Sequence, residues 1–81
     1  MARVLLFGRL ADIAGWRDRN IEPAPTTLFG LRDQLARLDP DLGLALSAKG
    51  VQAAVDRVLV RGDSVLIAGA EIAFMPPMSG G

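Results

Sequence analysis

The 81-residue sequence contains no cysteine and no histidine, and its one lysine is Lys49. Without cysteine it can build no disulfide framework, zinc knuckle, thiolate nucleophile or iron–sulfur site. Without histidine it can form neither a Ser-His-Asp triad nor a histidine-based metal site. Excess charge of one sign is missing too. Nine basic and nine acidic residues cancel, which removes the long-range attraction that nucleic acid or an anionic membrane rewards. No stretch approaches the roughly 18 uninterrupted apolar residues of a spanning helix, and Val4-Leu5-Leu6-Phe7 is too short for a signal-peptide core. There is no glycine-rich phosphate loop of the Walker or dinucleotide type. A cytoplasmic protein that binds neither nucleic acid nor membrane and holds no metal is expected. Three kinds of function remain: carboxylate chemistry, a binding surface, or a chemically special terminus.

What the chain has in excess is apolar surface. Hydrophobic residues make up 51% of it before any glycine is counted, and the mean hydropathy is +0.32. Ordinary soluble domains are about 45–50% apolar with glycine included. A chain this short builds one small core and buries only about 60% of its unfolded surface. The surplus therefore points to an exposed apolar patch that a partner covers.

Hydrophobic periodicity places the elements. Ala2 to Gly8 carries an apolar run without alternation, the pattern of a strand buried on both faces in the assembled state. Arg9 to Gly15 has Leu10, Ile13 and Ala14 at helical spacing with Gly15 as a C-cap, and Trp16 to Ile21 reads as a polar edge strand closed by Pro23 and Pro25. The clearest helix comes after the candidate caps Thr26 and Thr27, with a stripe of Leu28, Leu31, Leu35 and Leu38, and stops at Asp39-Pro40. Gly30 inside it costs about 1 kcal/mol relative to alanine, and close packing on a strand is the expected reason. Asp41 to Leu46 forms a second short helix with Leu42, Ala45 and Leu46 on one side.

The C-terminal half reads as strands. Val51 to Asp56 alternates, Val58-Leu59-Val60 resumes after Arg57 as a ribbon or bulge, and Val65-Leu66-Ile67 lies between the turns Arg61-Gly62-Asp63 and Ala68-Gly69-Ala70. The last strand, Glu71 to Met75, alternates Ile72 and Phe74 against Ala73 and Met75. This order gives an α+β domain with one main helix packed across a mixed sheet. The β-grasp, or ubiquitin-like, arrangement fits it, with the first and last strands side by side at the centre. The domain is expected over residues 1–75 and a flexible, extended tail over 76–81.

Carboxylates are the only side-chain acids or bases available, but they are scattered over turns and helix surfaces with no pair placed face to face, as solvated surface residues are. Ser47, Ser64 and Ser79 lack a base to activate them. The terminus Pro76-Pro77-Met78-Ser79-Gly80-Gly81 is different. Two prolines end the strand and stiffen the start of the tail, and beyond them every residue except Met78 is small. Taken alone, a frayed tail is the simplest account. The functional account is that the α-carboxylate of Gly81 is the reactive group. A carboxylate resists substitution at neutral pH until it is converted to a mixed anhydride, which requires threading the terminus into another protein's ATP site. Two glycines make the thread narrow enough.

Arg3-Val4-Leu5-Leu6-Phe7-Gly8, the leucine helix, Ala53-Ala54-Val55-Asp56 and above all Gly69 to Gly81, with its Pro-Pro-x-Ser-Gly-Gly ending, resemble the small subunits of molybdopterin synthase in the MoaD/ThiS sulfur-carrier family. The resemblance covers the whole chain. It implies a β-grasp fold and a carrier that is not itself an enzyme and binds no cofactor. An E1-like, MoeB-like partner would use ATP to adenylate Gly81 at the Gly80-Gly81 end, and the product would become a thiocarboxylate. The sulfur would pass to cyclic pyranopterin monophosphate inside a MoaE-like large subunit, in a heterotetramer whose large subunit supplies the catalytic residues, with two carriers consumed per dithiolene.

The resemblance also implies docking through an apolar sheet surface, to which Phe7, Leu59 and Met75 are assigned, together with Pro76, Pro77, Met78 and Ser79 of the tail. Many relatives carry an aromatic residue where this chain has Met75, and a Gly-Asp turn where it has Gly69-Ala70. A carrier for thiamine or another thiol-containing product, a ubiquitin-like modifier, and a plain interaction domain are the competing readings. The single lysine makes the chain a poor acceptor of lysine-linked modification, which favours a donor or carrier.

Overall fold

The computed structural model describes residues 1–77. The element order is β1 (Ala2–Leu6), α1 (Arg9–Ala14), β2 (Asp18–Ile21), α2 (Leu28–Leu38), α3 (Pro40–Leu46), β3 (Gln52–Val55), β4 (Val58–Val60) and β5 (Glu71–Met75). The five strands form one mixed sheet in the order β2-β1-β5-β3-β4. β1 and β5 run parallel at its centre, with Val4 beside Ile72 and Leu6 beside Phe74. The other three pairings are antiparallel. This is the β-grasp arrangement expected from the sequence.

Period-two alternation decides which side chains enter the core. Ala2, Val4 and Leu6 of β1, Ile72 and Phe74 of β5, and Ala53 of β3 point to the helix side and are buried. They meet Leu10 and Ala11 of α1, Leu28, Leu31 and Leu35 of α2, and Leu42 and Leu46 of α3. In the chain by itself β1 ends at Leu6 with Arg3 exposed and Leu5 half-buried, so burial of its second face falls to the assembled state. No layer among the described residues covers the second face of the sheet, so an unbroken apolar run there produces a surface.

The helices end where their sequences dictate. Gly15 terminates α1 in the left-handed conformation, φ 83°. Thr27 caps α2 by accepting a hydrogen bond from the Gly30 amide at 3.0 Å. That contact also corrects the reason for Gly30, since a β-carbon there would lie 3.0 Å from the Thr27 hydroxyl and meets no strand. Leu38 is corrected from core to surface, at 59% exposure. It sits at the edge of the leucine stripe and at the helix end, where the chain turns through Asp39 into α3. Asp39 caps α3 by accepting from the Leu42 amide at 3.2 Å.

Asp56 and Arg57, at φ 48° and 70°, make a two-residue turn between β3 and β4, so the ribbon holds and no bulge forms. Val65-Leu66-Ile67 is not a strand. Val65 makes one isolated bridge to Thr27, and only Leu66 is buried. The segment docks on the start of α2 instead: the Asp63 carboxylate accepts from the Phe29 amide at 2.9 Å and the Ser64 carbonyl accepts from the Leu28 amide at 2.9 Å. Two of the helix's orphan amides thus find partners far along the chain.

α3 packs against both α1 and α2. Its approach to α2 depends on Gly43, where a β-carbon would lie 2.5 Å from Ala36 Cβ and 2.8 Å from its Cα. Helix propensity alone favours Gly43→Ala by about 1 kcal/mol, but overpacking costs about 1–3 kcal/mol. The expected outcome in urea denaturation is a net loss of stability, partly recovered when Ala36→Gly is added. On the open side of the sheet, Arg3 forks onto Asp18, with bonds of 3.0 and 2.6 Å, and reaches Glu71 at 3.4 Å, tying β2, β1 and β5 together. The Arg3 hydrogen bond holds the Asp18 carboxyl below its ordinary value. The pair's favourable contribution is therefore present at neutral pH and lost as pH falls through the depressed Asp18 titration. An NMR titration of Asp18 should show a midpoint below that of an unpaired aspartate, rising toward it in Arg3→Ala.

Candidate functional site

The sheet's uncovered face brings the expected docking residues together. Leu5 lies beside Ala73, Ala73 beside Ala54, and Ala54 beside Leu59, so one rank of apolar residues crosses the sheet from β1 to β4. Leu59 is 60% exposed and Met75, paired with Gln52, is half-buried. Phe7 comes directly after Leu6 and continues the ladder by donating its amide to the Phe74 carbonyl at 3.2 Å. By alternation its ring takes the face of Leu5, and Phe7 is 47% exposed. All three residues therefore lie on the open face and outside the core, around a flat floor made by Ala54 and Ala73. The Arg3, Asp18 and Glu71 cluster borders this floor at the opposite end from Met75.

These alanines were legible as strand residues, but nothing in the sequence says that the helices cover only one face. The direction of alternation becomes informative only once Ile72 and Phe74 are known to face the helices. Small residues between Phe7, Leu59 and Met75 leave a shallow depression with three prominent rims, a shape suited to a partner's apolar side chains.

At the end of β5 the chain meets α1 and the connection from α3 to β3. Pro76 is half-buried and Pro77 exposed, yet both lie against the domain. A β-carbon at Gly8 would be 3.2 Å from Pro76 Cγ, and one at Gly50 would be 2.8 Å from Pro77 Cβ. With Leu10, Ile13, Ala45 and Val51 the two prolines line a small apolar cavity of about 190 Å³. Of the expected tail 76–81, the two described residues are thus seated on the body of the protein, in grooves opened by two glycines that sequence reasoning passed over. Met78, Ser79, Gly80 and Gly81 lie outside the described residues.

The acidic side chains have structural work. Asp18 pairs with Arg3, Asp39 and Asp63 cap helices, and Asp56 accepts from the Glu71 amide at 3.0 Å while its own amide donates to the Glu71 carbonyl at 2.8 Å. Among the described residues no three acidic side chains cluster to hold a metal ion, and no helix is long and apolar enough to cross a membrane. The described surface offers an open apolar sheet face, with Pro76 and Pro77 seated on the domain.

Comparison with known proteins agrees in fold and in family. The crystal structure of SAMP1 from Haloferax volcanii superimposes with a TM-score of 0.83 at 24% identity, covering 99% of this chain and 98% of that one. A second crystal structure, of the H. volcanii small archaeal modifier protein 1, gives 0.79 at 21% identity, covering 95% and 97%. Both carry the ubiquitin-like fold. The molybdopterin synthase sulfur carrier subunit of Escherichia coli (strain K12) is 33% identical over 81 residues, and that of Haemophilus influenzae 31%, each alignment spanning both chains completely. With the ThiS family model matching residues 4–81 as well, the chain belongs to the ThiS family.

Proposed function

We propose that this protein is the sulfur-carrier subunit of a molybdopterin synthase, and that the carboxyl group of Gly81 is its reactive centre. The observation that carries the reading is the full-length identity with two proteins of that name, joined to a chain that has neither cysteine nor histidine and ends in Gly80-Gly81. In the first step the Gly81 carboxylate attacks the α-phosphorus of ATP in the site of an E1-like, MoeB-like enzyme, and pyrophosphate leaves. A sulfur nucleophile then attacks the acyl carbon and displaces AMP, which leaves a thiocarboxylate. In the synthase that sulfur bonds to cyclic pyranopterin monophosphate held by a MoaE-like large subunit, water cleaves the acyl–sulfur bond and returns Gly81 to a carboxylate, and the large subunit supplies the acid, base and phosphate-binding groups.

The carrier's own contribution is positional. Phe7, Leu59 and Met75 dock the open face on each partner in turn. Pro76 and Pro77 set the tail's point of departure, and Met78 and Ser79 line the thread that carries Gly80 and Gly81 into the partner's site. Methionine at position 75 packs adaptably against either partner. A modifier role would use the same adenylated terminus but end in an isopeptide bond to a lysine of another protein.

Deleting Gly81, or adding one residue after it, should abolish sulfur transfer in a reconstituted synthase assay while leaving the unfolding midpoint unchanged. Transfer by the extended variant would contradict the terminal-carboxylate mechanism. Leu59→Asp should weaken binding to the large subunit at least about 30-fold, roughly 2 kcal/mol. Because Leu59 is exposed, the stability of the free domain should change by no more than about 0.5 kcal/mol. Calorimetric titration and urea denaturation of the same variant give the two numbers.

A further inference from the structure

Between α2 and the edge strand β4, apart from the open face, a cavity of about 510 Å³ opens, with Arg32 and Phe29 on the helix side and Leu59, Val60 and Arg61 on the strand side. The Arg32 guanidinium lies 5.9 Å from the Phe29 ring centroid and 5.7 Å from that of Phe74. Its Nε is buried and has no hydrogen-bond acceptor among the described residues. A buried donor left unpaired costs about 1–3 kcal/mol, and a cation beside two rings is attracted but not hydrogen-bonded by them. Arg32 and Arg61 are the charged residues among those that line the cavity, and no acidic side chain in that lining offsets them. The nearby Asp63 carboxylate is occupied by the Phe29 and Ser64 amides.

The main chain adds a second requirement. β4 lies at the end of the sheet order and pairs, among the described strands, only with β3, so its outer edge presents unpaired amides and carbonyls, the usual template for an added strand. We propose that this groove receives an extended acidic segment of a protein partner, which pairs with the free edge of β4 and places a carboxylate against Arg32 and Arg61. A carboxylate matches the planar fork of a guanidinium, and the groove holds two guanidinium-bearing residues, Arg32 and Arg61, with no acidic side chain in its lining. Leu59 belongs both to this groove and to the open apolar face, so a protein covering the face can reach the groove without a break. The proposal is independent of the chemistry at Gly81, and its test involves no sulfur transfer.

The test is NMR titration of the full-length protein with a blocked hexapeptide of alternating valine and glutamate, alongside its valine–glutamine counterpart and inorganic phosphate. The glutamate peptide should produce saturable shifts at the Arg32 Nε–H and at the Val58, Leu59 and Val60 amides. Affinity should fall about tenfold for the glutamine peptide and for Arg32→Gln or Arg61→Gln, as expected for loss of one charge-assisted hydrogen bond. Arg61 is exposed, so its variant decides the matter should Arg32→Gln fail to fold. Equal binding of the two peptides, an unmoved Arg32 Nε–H, or shifts at these positions with phosphate but not with peptide would overturn the proposal.

Discussion

The parallel contact between β1 and β5 is the constraint on which the rest of the molecule depends. It joins the first strand to the last across the full length of the chain and places both at the centre of the sheet. Because side chains alternate, the one pairing sets two surfaces at once. Val4, Leu6, Ile72 and Phe74 are committed to the helices, and Leu5, Ala73 and Met75 to the opposite side. A register slip of one residue would exchange them and leave both the core and the docking face without their residues. The same pairing fixes where the chain leaves the domain, since Pro76 comes directly after β5 and meets Gly8 just past the end of β1.

Much of this was legible in the sequence because the signals are local. The leucine stripe, the Thr27 cap, the Asp39-Pro40 stop and the Gly15 C-cap each act within one or two turns of helix. The features that escaped are made by distant segments. Asp63 caps α2 from a position 34 residues beyond the Phe29 amide it binds, so Val65-Leu66-Ile67, strand-like in composition, is held as a docked loop. Gly30 answers to a hydroxyl three residues away and Gly43 to an alanine on another helix, which spacing alone cannot distinguish. The apolar run in β1 reports how much apolar surface exists, not what covers it: the helices cover one face, and the other is open among the described residues. The Gly-Gly terminus is read from residue types alone and lies outside the described residues.

These elements divide the labour of a carrier. The helix side of the sheet supplies stability. The open side, between Phe7, Leu59 and Met75, is the contact proposed for its partners. The prolines seated on Gly8 and Gly50 fix where the chain leaves β5. On the proposed function, a chain without cysteine or histidine takes part in sulfur chemistry through its main-chain carboxyl group.

The most direct test of this account is the intact mass of the protein after incubation with an E1-like adenylating enzyme, ATP and a sulfur donor. The account predicts the mass change for one terminal oxygen replaced by sulfur, located to Gly81 by fragmentation. An unchanged mass in the presence of an enzyme that converts a known carrier, or a sulfur located anywhere but Gly81, would contradict it.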